Sequence, residues 1–279
     1  MADTGVTIQS KFRPLRFGKI LKMINTTEQE EREYLEEIKE KLQITIKRVD
    51  DTVKQFSAEL QKNKEYIYEN QSGMDEADMV AAGQSINRIA FTGESSVARR
   101  RKLMKLRESP YFGRIDFETG DERSPIYIGI YTFFDETARA NLIYDWRAPI
   151  SSMFYDFELG DAWYTTPSGK VDGKLVLKRQ YQIRDGKMDF MIENSVSILD
   201  DVLQQELSKS SDDRMKNIVA TIQRDQNAVI RNETARVMII QGVAGSGKTS
   251  IALHRIAFLL YRFRDTIAAK DILIISPNK

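Results

Sequence analysis

From Leu35 to Leu60 the apolar residues of this chain fall on one narrow stripe. Leu35, Ile38, Leu42, Ile46, Val49, Val53, Phe56 and Leu60 are separated by 3, 4, 4, 3, 4, 3 and 4 residues. Spacings that alternate between three and four return every side chain to one line along an α-helix, and so narrow a line is the seam of a coiled coil, here with one stutter. A strand repeats its faces every two residues and does not satisfy the pattern. No Pro or Gly occurs between Gly18 and Gly73, so nothing breaks the helix. Residues 28–69 are therefore expected to form a rod of roughly 60 Å. At its start, Thr26-Thr27 followed by Glu30 has the form of a capping box, and Glu28, Glu30, Glu31 and Glu33 suit the positive end of the helix dipole.

A seam needs a partner. Ser72-Gly73 offers a turn, and a second helical stretch carries Met79, Ile86, Ile89 and Ala90 on one face. It is weak at Gly93, has a possible restart at Ser95-Ser96, and ends at Ser109-Pro110. An antiparallel hairpin folded near residue 70 sets Glu33, Glu36, Glu37 and Glu40 beside Arg99, Arg100, Arg101, Lys102, Lys105 and Arg107, where the two runs are expected to pair. The competing use of the basic run is a nucleic-acid patch. Residues 1–110 thus read as a coiled-coil arm.

Bulk charge narrows the function classes. With 42 Lys+Arg against 41 Asp+Glu, the net charge of +1 supplies no molecule-wide field for nucleic acid, so any such binding must be local. The absence of cysteine excludes disulfides and thiolate metal sites, and a single histidine, His254, excludes a multi-histidine centre. No signal-peptide core or membrane-length apolar run is visible, which implies a cytoplasmic protein without a membrane partner.

Residues 111–195 read as a small antiparallel β domain. Strands are expected at Arg114–Phe117, Ile126–Phe134, Asn141–Asp145, Met153–Phe157, Trp163–Thr166, Lys174–Arg184 and Met188–Ile192, with hairpin turns at Asp172-Gly173 and Asp185-Gly186. Within it, Asp145-Trp146-Arg147-Ala148-Pro149 reads as a loop fixed by an Asp–Arg pair and a packed Trp.

Residues 196–279 alternate helix and strand. Helices are expected at Asp200–Leu207, Asp212–Arg231 and Gly247–Tyr261, with apolar strands at Arg236–Gln241 and Asp271–Ser276, the start of a parallel α/β unit. Between strand and helix lies Gly242-Val243-Ala244-Gly245-Ser246-Gly247-Lys248-Thr249, followed by Ser250, which fits the phosphate-loop pattern G-x-x-x-x-G-K-[ST]. The glycines let the backbone wrap a phosphate and turn N–H groups toward it. Lys248 brings a cation to the β/γ oxygens, and the Thr249 hydroxyl is placed to ligate Mg²⁺. ATP with Mg is the expected ligand. Gln226 precedes Lys248 by 22 residues, and its amide can match the donor and acceptor of adenine, although most helix-borne glutamines are simply solvated. His254, six residues after Lys248, reads as packed or capping rather than catalytic.

The set Gln226, Gly242–Thr249 and Ser276-Pro277-Asn278 resembles the opening of a superfamily-one helicase of the UvrD/Rep type. Ser109-Pro-Tyr-Phe-Gly-Arg-Ile-Asp116, Tyr144-Asp-Trp-Arg-Ala-Pro-Ile-Ser-Ser152, Leu177-Lys-Arg-Gln180, Ile218-Val-Ala-Thr-Ile-Gln223 and Ala252-Leu-His-Arg255 narrow the likeness to the HelD, or helicase IV, family. Asp225 stands where a Glu would be expected. The resemblance implies an α+β multidomain chain: coiled-coil hairpin, β domain, and the first part of a RecA-like P-loop ATPase domain. It implies an ATP-driven motor that binds bacterial RNA polymerase core through the arm and releases stalled polymerase from nucleic acid. Asp75, Glu76 and Asp78 would then stand at the arm tip near the polymerase's catalytic Mg²⁺; their ordinary alternative is turn and cap chemistry. DNA unwinding, with the arm as an appendage, is the competing activity, and a nucleotide-switched binding module is a third. No Walker B acid follows the loop before Lys279, so the expectation is an N-terminal portion that binds nucleotide without turnover.

Overall fold

The computed structural model describes residues 25–70, 73–193, 224–243 and 245–275. Two long helices come first, α1 (Glu28–Asn70) and α2 (Glu76–Glu108). The capping box forms: Thr27 Oγ1 accepts from Glu30 N (3.2 Å), and Glu30 Oε2 accepts from the backbone N–H of Thr26 (2.6 Å) and of Thr27 (2.9 Å). These bonds hold the Glu30 carboxyl down at about 2. α2 runs through Gly93 without a break; Gly93 faces Phe56 of α1, where a Cβ would make only an ordinary contact at 3.8 Å.

The helices are antiparallel, but their register differs from the expected one. Residue 93 lies beside 56, and Arg100 pairs with Asp50. The turn centres beyond residue 70, so the basic run of α2 faces residues 42–50 rather than the acids at 33–40. Those acids act locally, Glu36 with Lys39 and Glu37 with Lys41. Arg99 reaches Glu136 instead, and Lys102 lies over the Tyr131 ring.

Seven strands follow: β1 (Gly113–Thr119), β2 (Glu122–Gly129), β3 (Phe133–Asp135), β4 (Ala140–Asp145), β5 (Gly160–Thr166), β6 (Gly169–Arg184) and β7 (Lys187–Glu193). Among the described residues they form one sheet, in the order β3-β4-β2-β1-β6-β5, with β7 also on β6. The sheet is mixed rather than antiparallel throughout, because β4 pairs β2 in parallel. Asp185-Gly186 makes the expected turn, both residues at positive φ. Asp172-Gly173 does not turn. β6 runs straight through it, and Gly173 is needed because a Cβ there would strike the Glu118 carbonyl of β1 beside a bulge. Residues 153–157 form no strand; Pro149–Ser152 is a 3₁₀ turn running into the short helix α3 (Met153–Asp156).

The sheet is covered on both sides. One core joins Leu35, Ile38, Leu42, Ile46 and Val49 of α1 and Leu103 and Leu106 of α2 to Tyr127, Ile143, Tyr181 and Ile183 of the sheet. Each such side chain contributes roughly 1.5–3 kcal/mol on burial. The second core lies on the other face. There Ile115, Ile126, Ile128 and Leu175 meet Trp146 and Phe154, together with Ile230 and Phe258 of two further helices, α4 (Arg224–Arg231) and α5 (Lys248–Arg262). The expected helix at 200–207 and the start of the one at 212–231 lie outside the described residues.

The two apolar segments expected as strands are not strands. Residues 236–241 and 272–275 carry no ladder, Asp271 belongs to a 3₁₀ turn (Ala269–Asp271), and Val237, Ile239, Leu273 and Ile275 are more than four-fifths exposed. A strand exists only through its neighbours, and among the described residues these two have none. No helix among the described residues is long and apolar enough to cross a membrane.

Candidate functional site

The phosphate-loop segment leads into the first turn of α5. Gly245 (φ +82) and Gly247 (φ +79) adopt the left-handed conformation that other residues resist, and Gly247 caps the helix. Ser246 N donates to the Val243 carbonyl (3.2 Å), closing a tight turn. A Cβ on Gly242 would come within 2.5 Å of Ser246 Oγ, so a side chain there would turn that hydroxyl aside. Lys248 Nζ folds back to donate to the carbonyls of Gly242 (2.9 Å) and Val243 (2.7 Å). Thr249 is exposed, and Lys248 and Ser250 are half-buried. Ala244 lies outside the described residues. The left-handed glycines, the ammonium across the loop and the free hydroxyl at the helix start fit a Mg–nucleotide phosphate.

Gln226 is half-buried on α4, the helix that packs against α5. Arg255 of α5 joins the two helices by donating to the carbonyls of Val229 (2.8 Å) and Ile230 (3.5 Å) at the end of α4. Asn227, fully buried, donates to Asp156 (2.7 Å) and accepts from Arg231 (2.9 Å). Asp75, Glu76 and Asp78 are far away, at the outer end of the hairpin, about 50 Å along α2 from the sheet. Asp75 is the N-cap of α2 and accepts from Asp78 N (2.8 Å), and all three acids are exposed. Among the described residues no group of three His, Cys, Asp or Glu side chains is arranged to hold a metal.

The Asp145–Pro149 loop does what its sequence suggests and something more. Asp145 grips Arg147 in a two-pronged ion pair (2.8 and 2.6 Å), and Trp146 is buried. The same loop also docks α4 and α5. Arg231 donates to the carbonyls of Trp146, Arg147 and Ala148, and the Arg147 guanidinium lies over the Tyr261 ring, 4.7 Å from its centre. Trp146 meets the His254 ring edge-on at 5.7 Å. His254 Nδ1 donates to the Ser250 carbonyl at 2.7 Å, which fixes the tautomer and leaves Nε2 without the proton. Burial lowers its pKa below the usual histidine value, so the neutral ring is the resident form. Arg231 is likewise pushed down by burial.

A second constellation ties the hairpin to the sheet. Glu31 has no exposed surface and takes up Arg114 and Arg179 (2.9 Å), while Tyr127 donates its hydroxyl to it (2.9 Å). Asp116 holds Arg114 from the other side in a two-pronged pair (2.6 and 2.8 Å). Burial alone would lower the pKa of Arg114. Its bonds to Asp116, with the charges of Asp116 and Glu31, raise it instead. Sequence reading missed this network, although an arginine on the apolar face of β6, Arg179 between Leu177 and Tyr181, was a visible signal for a buried partner.

The family model for the N-terminal domain of DNA helicase IV HelD matches residues 28–213. The chain belongs to the HelD family. The matched span takes in both long helices and the seven strands of the described residues, whereas Gln226 and Gly242–Thr249 lie beyond it. Comparison with curated proteins finds no match. The expectation drawn from Ser109–Asp116, Tyr144–Ser152 and Leu177–Gln180 is therefore met, and within the HelD family part these segments form the passage from α2 into β1, the docking loop and the middle of β6.

Proposed function

We propose that this HelD-family chain is the arm-and-nucleotide-site portion of an ATP-driven motor that binds RNA polymerase core through the α1–α2 hairpin and releases stalled polymerase from nucleic acid. The observation that carries the nucleotide part is the loop geometry. Left-handed Gly245 and Gly247 open onto α5, with Lys248 already donating across the loop mouth. In this reading Lys248 exchanges two neutral carbonyls for phosphate oxygens, which are stronger acceptors. Backbone N–H groups of the loop and the α5 N-terminus take the remaining oxygens, the Thr249 hydroxyl ligates Mg²⁺, and Gln226 reads adenine. The metal ion would draw charge off the phosphates.

Titration calorimetry with Mg-ATP tests it. Lys248→Ala should lose a charge-assisted contact of about 1.5–3 kcal/mol, roughly tenfold or more in affinity. Equal binding by the wild type and the variant removes the assignment. The family description names a DNA helicase, which favours a second reading, DNA unwinding with the hairpin as an appendage. Capture of core polymerase by this chain supports the first reading; strand separation by the full-length motor, with no capture of polymerase by this chain, supports the second.

A further inference from the structure

The first turn of α5 does more than face a ligand. Its Ser250 carbonyl, one residue past Thr249, accepts from His254 Nδ1 (2.7 Å), with Ser250 Oγ also close (3.3 Å). His254 is nearly fully buried, and the Trp146 ring closes its other side. Trp146 is no passive wall. Its carbonyl is held by Arg231, and its loop begins at Asp145, which ends β4 and is paired in the sheet with Gly129. That sheet also carries the hairpin base. A continuous set of packed and hydrogen-bonded groups therefore leads from the phosphate loop to the element bearing the arm, and no link in it is a solvated side chain.

We propose that His254 and Trp146 are positioning residues for the phosphate loop: His254 sets the first turn of α5 against Trp146, so that filling the loop is registered at the Asp145–Pro149 loop and in the arm-bearing sheet. The inference rests on the nucleotide reading above. The ring acts through Ser250 and touches no ligand. The imidazole N–H supports the Ser250 carbonyl from within the helix, and the edge-on Trp ring limits the directions in which that turn can shift. When Lys248 leaves the Gly242 and Val243 carbonyls for a phosphate, the loop and the turn it caps must adjust, and the buried pair stands where that adjustment meets the sheet.

The chain offers a direct reporter. It has two tryptophans, and the other, Trp163, is 43% exposed on β5. In Trp163→Phe the indole emission comes from Trp146 alone. Mg-ATP is titrated into this variant by calorimetry and by fluorescence in parallel. The expected result is a change in Trp146 emission whose midpoint matches the calorimetric one and which Lys248→Ala moves, by roughly tenfold or more, to higher Mg-ATP. His254→Asn keeps a side-chain N–H near the position of Nδ1 and should retain the response. His254→Leu should lose it and weaken nucleotide binding about three- to tenfold, the share of one hydrogen bond. Heat taken up by a saturable site with no change in Trp146 emission overturns the coupling while leaving the nucleotide reading intact. No binding by either method overturns both. A response that His254→Leu preserves in full, with the fold intact by circular dichroism, removes His254 from the role.

Discussion

Glu31 sits in the first turn of α1, where a carboxylate is ordinarily a solvated partner of the helix dipole, yet none of its surface reaches water. Two guanidiniums and a phenol occupy its oxygens, and the Asn25 carbonyl accepts from both Arg114 (3.0 Å) and Arg179 (2.9 Å). A buried pair of this kind adds little over an apolar substitute, but losing one member leaves the others buried with less charge to offset theirs. Glu31→Gln should therefore cost about 3–5 kcal/mol, read as a lower midpoint in urea denaturation. An unchanged midpoint would show that Asp116, paired with Arg114, and Glu193, which accepts from Arg179 at 2.7 Å, suffice for the two arginines. His254 shows the opposite economy: its neutral ring is buried beside Trp146 and needs only one acceptor.

β6 is the element that most changed between expectation and structure. Sixteen residues long, it holds β1 along its middle, β5 against its first half and β7 against its second. Asp-Gly is a turn signal only where the backbone is free to take positive φ, and at 172–173 the ladder to β5 holds both residues extended. The glycine serves close approach instead. Gly173→Ala should destabilise by about 1–3 kcal/mol, because the obstructing atom is backbone and cannot rotate away. Gly83→Ala in α2, where nothing lies within 4 Å, should be neutral or stabilise by about 0.5–1 kcal/mol. Thermal melts of the two variants give the comparison, and equal shifts would contradict the close-approach account.

The hairpin and the helices α4 and α5 lie on opposite faces of one sheet. The buried seam of α1 ends at Val49, and from there the hairpin extends away as a two-helix rod with Asp75, Glu76 and Asp78 at its end. If this rod is the polymerase-binding arm, the three acids act at a distance from the fold's core. Their joint replacement by Ala should remove one cap, worth about 1 kcal/mol, and leave both helices formed. Inhibition of RNA synthesis by core polymerase should weaken in the triple variant. If the variant inhibits as well as the wild type, the acids are only the cap and first turn of α2.

What the sequence determined by itself was whatever neighbours in the chain decide. The seam of α1, the Thr27–Glu30 box, the Asp185-Gly186 turn and the glycine cap of α5 each depend on residues within one or two turns of each other, so spacing alone specifies them. The Asp145–Arg147 pair, two residues apart, was legible for the same reason. Only the tertiary structure decided the hairpin register, the parallel pairing of β2 and β4, the passage of β6 through Gly173, and the meeting of Trp146 with His254. Glu31 finds its arginines 83 and 148 residues away. Such contacts are chosen by which apolar faces can be buried together and by the need to pair every charge taken out of water, and no local pattern encodes either choice.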